Sequence, residues 1–357
     1  MAQSRLRKLG DYLRPHWRKA GLGIFALFFV NLLGMYIPLL IRDSIDKLQV
    51  AFDMSQVMYY VVLILALASV MWLARMGSRI WLFGVGRQVE FDLKQKIFTH
   101  LLRLEPAYFS ANTVGDLINR ATSDVDNIRR LLGFAILSLA NMIFAYGLTL
   151  PVMLAINWQL SLLALSVYPI MLLVVKLSSD RLRVQQQLVQ EKLSDISELI
   201  QEDMSGISLV KIYAQEENER EAFRLLNENL LGANLILAKT RNILFSLLRG
   251  LASLSLLIVL WFGVGAINGG ALSVGDFVAL LLYVERLAFP TALLGFTITA
   301  YQRGEVSIDR IETILTVEPK IQDAPDALEL PRSQVRGELA AHELTFTHPT
   351  IGLAAPN

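Results

Sequence analysis

Cysteine is absent from this sequence, which excludes disulfides, thiolate metal sites and a cysteine nucleophile. Charge is scarce: Asp, Glu, Lys and Arg make up 18% of the residues, against about 25% in ordinary soluble domains. The charges nearly cancel, at +1, so no basic surface for nucleic acid is expected. Histidine occurs only at His16, His100, His342 and His348, without metal-binding spacing. Asp124 and Asp126 are a pair of carboxylates in a polar helix; they read as solvated charges or salt-bridge partners, because two carboxylates supply too few ligands for a cation. No G-x-x-x-x-G-K-[ST] phosphate loop occurs, and Gly263-x-Gly265 lies inside an apolar run rather than at a strand–turn–helix junction. No nucleophile–base pair or metal constellation suggests a membrane enzyme, so no catalytic residue is assigned.

What is abundant is apolar. Hydrophobic residues reach 54% and mean hydropathy is +0.46, and they cluster in runs, which places the chain in the membrane class. Six spans are predicted, at 20–41, 57–85, 132–156, 158–177, 243–267 and 277–300. The first follows a basic amphipathic stretch, 1–19, read as an interfacial elbow helix with Leu6, Leu9, Tyr12 and Leu13 on one face. No small-x-small cleavage site follows, so a retained span is expected rather than a signal peptide. A short loop, 42–56, joins spans one and two. No proline follows span two until Pro106, so it runs on as one helix of roughly 45–50 residues, about 70 Å at ~1.5 Å per residue. The hydrocarbon core is only about 30 Å thick, so half of that helix stands outside it. Span four overruns likewise, with an apolar seam at Leu182, Val189, Leu193, Ile196, Ile200, Ile207 and Val210 that predicts packing against another helix. Asn157 makes a tight hairpin of spans three and four. Pro290 predicts a kink in span six.

Connections one, three and five are therefore short, and two and four long. Lys and Arg number six in 1–19, seven in 87–131 and nine in 176–241, against two in the three short loops. Both termini and both long loops are then expected on the cytoplasmic side. Residues 105–130 form a polar island between apolar regions. Its turn and cap residues at 111–116 predict a short helix laid across the ends of two long ones.

Glu285 and Arg286 lie near the middle of span six, where a charge costs about 2.5–3.5 kcal/mol on insertion scales. Adjacent residues point about 100° apart on a helix, so each needs its own partner. Asn141 in span three and Asn31 in span one are candidates. A role in a substrate path and a structural polar contact both remain open. Arg75, Arg79 and Arg249 read as span-end residues that snorkel or pair.

Five motifs together resemble the transmembrane half of an ABC exporter: IPLLIRDSIDKL at 37–48, YFSANTVGDLINRATSDVDNIRR at 108–130, GISLVKIYAQEENERE at 206–221, GGALSVGDFVALLLY at 269–283 and SIDRIETILTVEPKIQD at 307–323. The resemblance covers residues 1 to about 349. It implies an all-α membrane protein: six transmembrane helices (20–300) with long cytoplasmic helical arms, a domain-swapped homo- or heterodimer, a linker at 301–336, and the start of a nucleotide-binding domain at 337–357. It further implies two coupling helices, Asn112, Thr113, Val114, Gly115, Asp116 and Leu117, then Tyr213, Ala214, Gln215, Glu216, Glu217 and Asn218. In GELAAHELTFTHP at 337–349, His348 takes the adenine-stacking position. ATP and magnesium would act through an ATPase domain in a longer product or another chain, since this chain does not hydrolyse ATP alone. Cargo could be a lipid, a peptide or an amphipathic small molecule. A plasma or inner membrane is the expected location. Competing expectations are a transporter not driven by ATP, and a truncated or regulatory half that dimerises without transport.

Overall fold

The computed structural model describes residues 2–50 and 53–322, together with 326–327, 337 and 340–343, with side chains from residue 8 onward. His348 lies outside the described residues. Among those described, the chain is helical throughout, without a strand.

Helix α1, Ala2–Leu13, and a 3₁₀ turn, Arg14–His16, lead into α2, Trp17–Val50. Leu9, Tyr12 and Leu13 turn the apolar stripe of α1 onto protein, against the core at the arm end of the bundle. The 42–56 loop is shorter than expected: α2 continues to Val50, and Asp53 caps α3, Met54–Leu101, by accepting the Ser55 N–H at 2.9 Å. No proline or glycine interrupts residues 42–50, and their polar side chains are used. Asp46 accepts the Ser273 hydroxyl at 2.7 Å and the Gly275 N–H at 2.8 Å, and Arg42 lies 3.5 Å from Asp276. The first two turns of α2 beyond the apolar run are thus the clamp on the start of the last long helix.

Helix α3 is a single rod of 48 residues, as its lack of proline predicts. Pro106 opens α4, Pro106–Ala111, at its first position, where its missing N–H costs nothing. The short helix expected across the polar island is only partly separate. After a break at Asn112–Thr113, α5, Val114–Asn119, runs through a π-helical turn, α6 (Val125–Arg130) and a second π turn into α7, Ile136–Leu165, without leaving helical conformation. The reversal comes at Asn157, whose backbone is extended at φ −157, ψ 106 and whose Oδ1 accepts the Leu160 N–H at 3.0 Å. Ser161 then donates to the Met153 carbonyl eight residues back, closing the hairpin.

Helix α8, Val167–Ser205, ends at Gly206; α9, Ile207–Ile212, is one short element; α10, Glu216–Asn268, is unbroken over 53 residues and so joins the returning arm to span five. α8 and α10 pack along their length. Val189 and Ile196 of the predicted seam are buried, whereas Leu193, Ile200 and Ile207 are exposed. Gly270, at φ +70, makes the turn, and α11, Val274–Leu315, passes residue 300 without a break, with Pro290 inside it. Among the described residues, five helical stretches are long and apolar enough to cross a membrane; one of them, Val114–Ser205, folds back at Asn157 and holds two of the six predicted spans.

Among the described residues, two cores hold the bundle. One joins α7, α8, α10 and α11 around Met153, Met171, Tyr283 and Leu287. The other joins α3, α6 and α11 at the arm end around Ile97, Ile128, Leu131 and Ile311.

Candidate functional site

At the arm end, the first predicted coupling set is half engaged. Asn112 donates its amide to the Tyr108 carbonyl at 2.9 Å, and Thr113 caps α5 by accepting the Asp116 N–H at 3.3 Å. Leu117 is buried, whereas Val114 and the neighbouring Ile118 are 64% and 58% exposed. Asp116 is not free for an outside partner: it pairs with Arg120 at 2.6 Å and Arg310 at 3.2 Å. Arg310 also lies 3.3 Å from buried Asp124, an ionic contact whose geometry falls short of a hydrogen bond. Asp124 accepts the Ser307 hydroxyl at 2.8 Å, and Arg120 donates to Thr313 at 3.0 Å. Residues 116–124 and the last three turns of α11 are thereby tied together.

The adjoining face of α3 is tied in too. Glu90 pairs with Lys94, Arg87 and Arg129; the hydrogen bond from Lys94, aided by Arg87, holds its carboxyl below the usual range. Asp126 is likewise held low: burial opposes this, but hydrogen bonds from Arg129 and Arg130 prevail.

The second set sits at the tip of the other arm and is open. Tyr213, Ala214, Gln215, Glu216, Glu217 and Asn218 are all exposed. Ala214 adopts φ 51, the left-handed conformation that folds the tip. The local pairs Lys211–Glu216 at 3.0 Å and Arg220–Glu217 at 2.6 Å are surface pairs that shape it.

Inside the bundle, three of the four predicted path residues meet. Arg286 donates to the Asn31 carbonyl at 3.2 Å and to its Oδ1 at 3.1 Å, and Asn31 donates to Asn141 at 3.1 Å. Gly34 makes this possible: a Cβ there would overlap the guanidinium. Glu285 is not part of the cluster; it is exposed and does not line the cavity. From the Arg42–Asp276 contact, Asn31 lies eleven residues along α2 and Arg286 ten along α11. At ~1.5 Å per residue both sit roughly 15 Å deeper, about half the thickness of a hydrocarbon core.

Arg286, Asn31 and Asn141 line a cavity of about 580 Å³ together with Arg75, Ser78 and Arg79 of α3 and Phe83, Phe134 and Phe289. Sequence reasoning placed Arg75 and Arg79 at a span end. Their i, i+4 spacing puts them on one face, and that face looks into the cavity; the spacing was the available signal.

The chain matches the family model for the ABC transporter transmembrane region over residues 20–290. It is similar to a probable multidrug resistance ABC transporter ATP-binding/permease protein, YheI, of Bacillus subtilis, with 25% identity over 97% of this chain and 59% of the relative. The multidrug resistance-like ATP-binding protein MdlA of Escherichia coli is 24% identical over 96% of this chain and 58% of its own length. An ATP-dependent lipid A-core flippase of Desulfotalea psychrophila is 24% identical over 97% and 60%. The chain thus spans about three fifths of these relatives. A family match covering most of the chain agrees with the apolar helices: this is an integral, multi-pass membrane protein, and it belongs to the ABC transporter transmembrane region family.

Proposed function

We propose that this chain is the membrane-spanning part of an ATP-driven exporter. It works as a homo- or heterodimer of such halves in a plasma or inner membrane, with both termini and both arms cytoplasmic. ATP and magnesium act through a nucleotide-binding domain, in cis in a longer product or in trans on a partner. No phosphate loop occurs in this sequence, so the chain's own part is mechanical: it receives force at the arms and reshapes the cavity.

The observation that carries this reading is the Arg310 junction. It binds the coupling segment at Asp116 and Asp124 to α11, which lines the cavity at Arg286 and leads on toward residues beyond 315. A push on Val114 and Ile118 therefore moves α11 as a body. α8 and α10 do the same for the exposed tip at 213–218, since continuous helices transmit a tilt from end to end. Coupling of this kind needs two discrete packings biased by the ligand. A secondary carrier would instead place discontinuous helices at midplane; α2, α3, α10 and α11 are each helical through their spans.

The test is purification from the protein's native membranes, with mass spectrometry and an ATPase assay on what is recovered. Asp116 is engaged within the chain, so the informative variant is Val114→Asp with Tyr213→Asp, on the exposed residues. Recovery of an ATPase, in cis or in trans, whose coupled activity falls about tenfold or more in the variant is expected for a surface contact of this kind. Recovery of the chain with itself alone and no ATP hydrolysis would end the reading in favour of a regulatory half.

A further inference from the structure

We infer that the cavity between α2, α3, α7 and α11 binds the oxyanion headgroup of an amphiphile, gripped by Arg75, Arg79 and Arg286. As a statement about cargo this rests on the exporter reading; as a binding site it does not.

Charge comes first. Three guanidinium groups line one cavity and, among the described residues, no Asp or Glu lines it or pairs with them. Positive charge without a counter-charge at membrane depth is costly, and such residues pair or face a polar path. Here the protein supplies only neutral partners. Arg286 has one terminal nitrogen on Asn31, while its Nε is buried without a partner. Arg75 reaches only the Met71 sulfur, at 3.8 Å, a weak acceptor that an oxyanion displaces readily.

Geometry comes second. Asn31 of α2 holds Arg286 directly and is itself held by Asn141 of α7, and the absence of a side chain at Gly34 gives the guanidinium a seat. Arg75 and Arg79 stand one turn apart on α3, free to close. A planar fork matches a phosphate's oxygens two at a time. The apolar remainder, Phe83, Phe134, Phe289 and Leu293, receives a tail rather than water. The volume of about 580 Å³ falls within the usual range for small-molecule sites, roughly 300–1,000 Å³. An anion with an apolar body satisfies both halves of the lining; a cationic or neutral amphiphile satisfies one.

The test uses the purified protein in nanodiscs of phosphatidylcholine, without ATP, titrated calorimetrically with dioctanoyl phosphatidic acid, dioctanoyl glycerol and inorganic phosphate. Dioctanoyl phosphatidic acid is expected to bind at least about tenfold more tightly than either of the others, since only it has both headgroup and tail. Arg75→Gln with Arg79→Gln weakens it by about tenfold or more; neither side chain bonds another helix, so the fold is expected to persist. Arg286→Lys keeps the charge, loses the fork and weakens binding too, while Arg249→Gln, outside the cavity, matches the parent. Equal affinity for the neutral glyceride overturns the proposal, as does equal affinity for inorganic phosphate, which would make it a free-anion site. An unchanged double variant also overturns it. No ATPase takes part, so a negative result leaves the exporter reading standing, and binding by a chain that recruits no ATPase leaves the site standing alone.

Discussion

Glycines at helix contacts decide how closely the bundle's charged groups meet. A Cβ at Gly275 would overlap the Arg42 carbonyl oxygen and the Asp46 carboxylate, one of them backbone. At Gly34 it would meet only the end of the Arg286 side chain, which can swing away. Overpacking costs about 1–3 kcal/mol, so Gly275→Ala belongs near the top of that range and Gly34→Ala near the bottom. Gly275→Ala also disturbs the N–H bond to Asp46 that starts α11. Thermal unfolding of the two variants in one detergent is expected to show the larger loss at Gly275. The reverse order would mean that the Asn31–Arg286 latch holds α2 to α11 more firmly than the Asp46 clamp does.

Helices this long need few instructions along their length and definite ones at their ends. Asn157 is such an end, with extended backbone and an Oδ1 that accepts from Leu160. Replacement by Ala removes the cap and is expected to cost about 1 kcal/mol, while Ser, which also caps, recovers most of it; unfolding midpoints of Asn157→Ala and Asn157→Ser check this. The hairpin was legible because Asn157 interrupts two apolar runs, and the rod of α3 because proline is missing from it. Continuity was harder to see. The polar residues at 42–50 read as loop because their partners, Ser273, Gly275 and Asp276, are more than two hundred residues away. The 112–117 segment read as an isolated helix because nothing in it announces that helical conformation carries on through the π turns. In the cavity, Asn31, Asn141 and Arg286 were found through the cost of polar groups in an apolar span. Arg75 and Arg79 were not, since a rod that leaves the membrane without a break gives no sequence mark of where its membrane part stops.

Across the whole molecule, the two ends of the bundle are held by different chemistry, and this makes their coupling separable by experiment. The turn end is held by the Asp46 clamp, and the midplane by the α7–α8–α10–α11 core and by Tyr283 and Tyr168 hydroxyls donating to the Met35 and Val284 carbonyls. The arm end adds a charge lattice, with Arg310 spanning Asp116 and Asp124 while Lys8 reaches Glu312 at 3.2 Å. Charge-assisted bonds contribute about 1.5–3 kcal/mol each when partly buried, and Arg310 is half exposed, so removing it costs nearer the lower value. A loss of about 1.4 kcal/mol is tenfold in a local opening equilibrium. Arg310→Ala is therefore expected to raise amide exchange over residues 114–130 by roughly tenfold or more, because that segment opens without the rest of the molecule. Exchange over residues 279–287, in the other core, stays at the parental rate, and so does affinity at the Arg286 cavity. Should exchange rise equally in both regions, the arm end and the midplane would be one cooperative unit, and force applied at Val114 would reach the cavity through global packing rather than through the Arg310 junction.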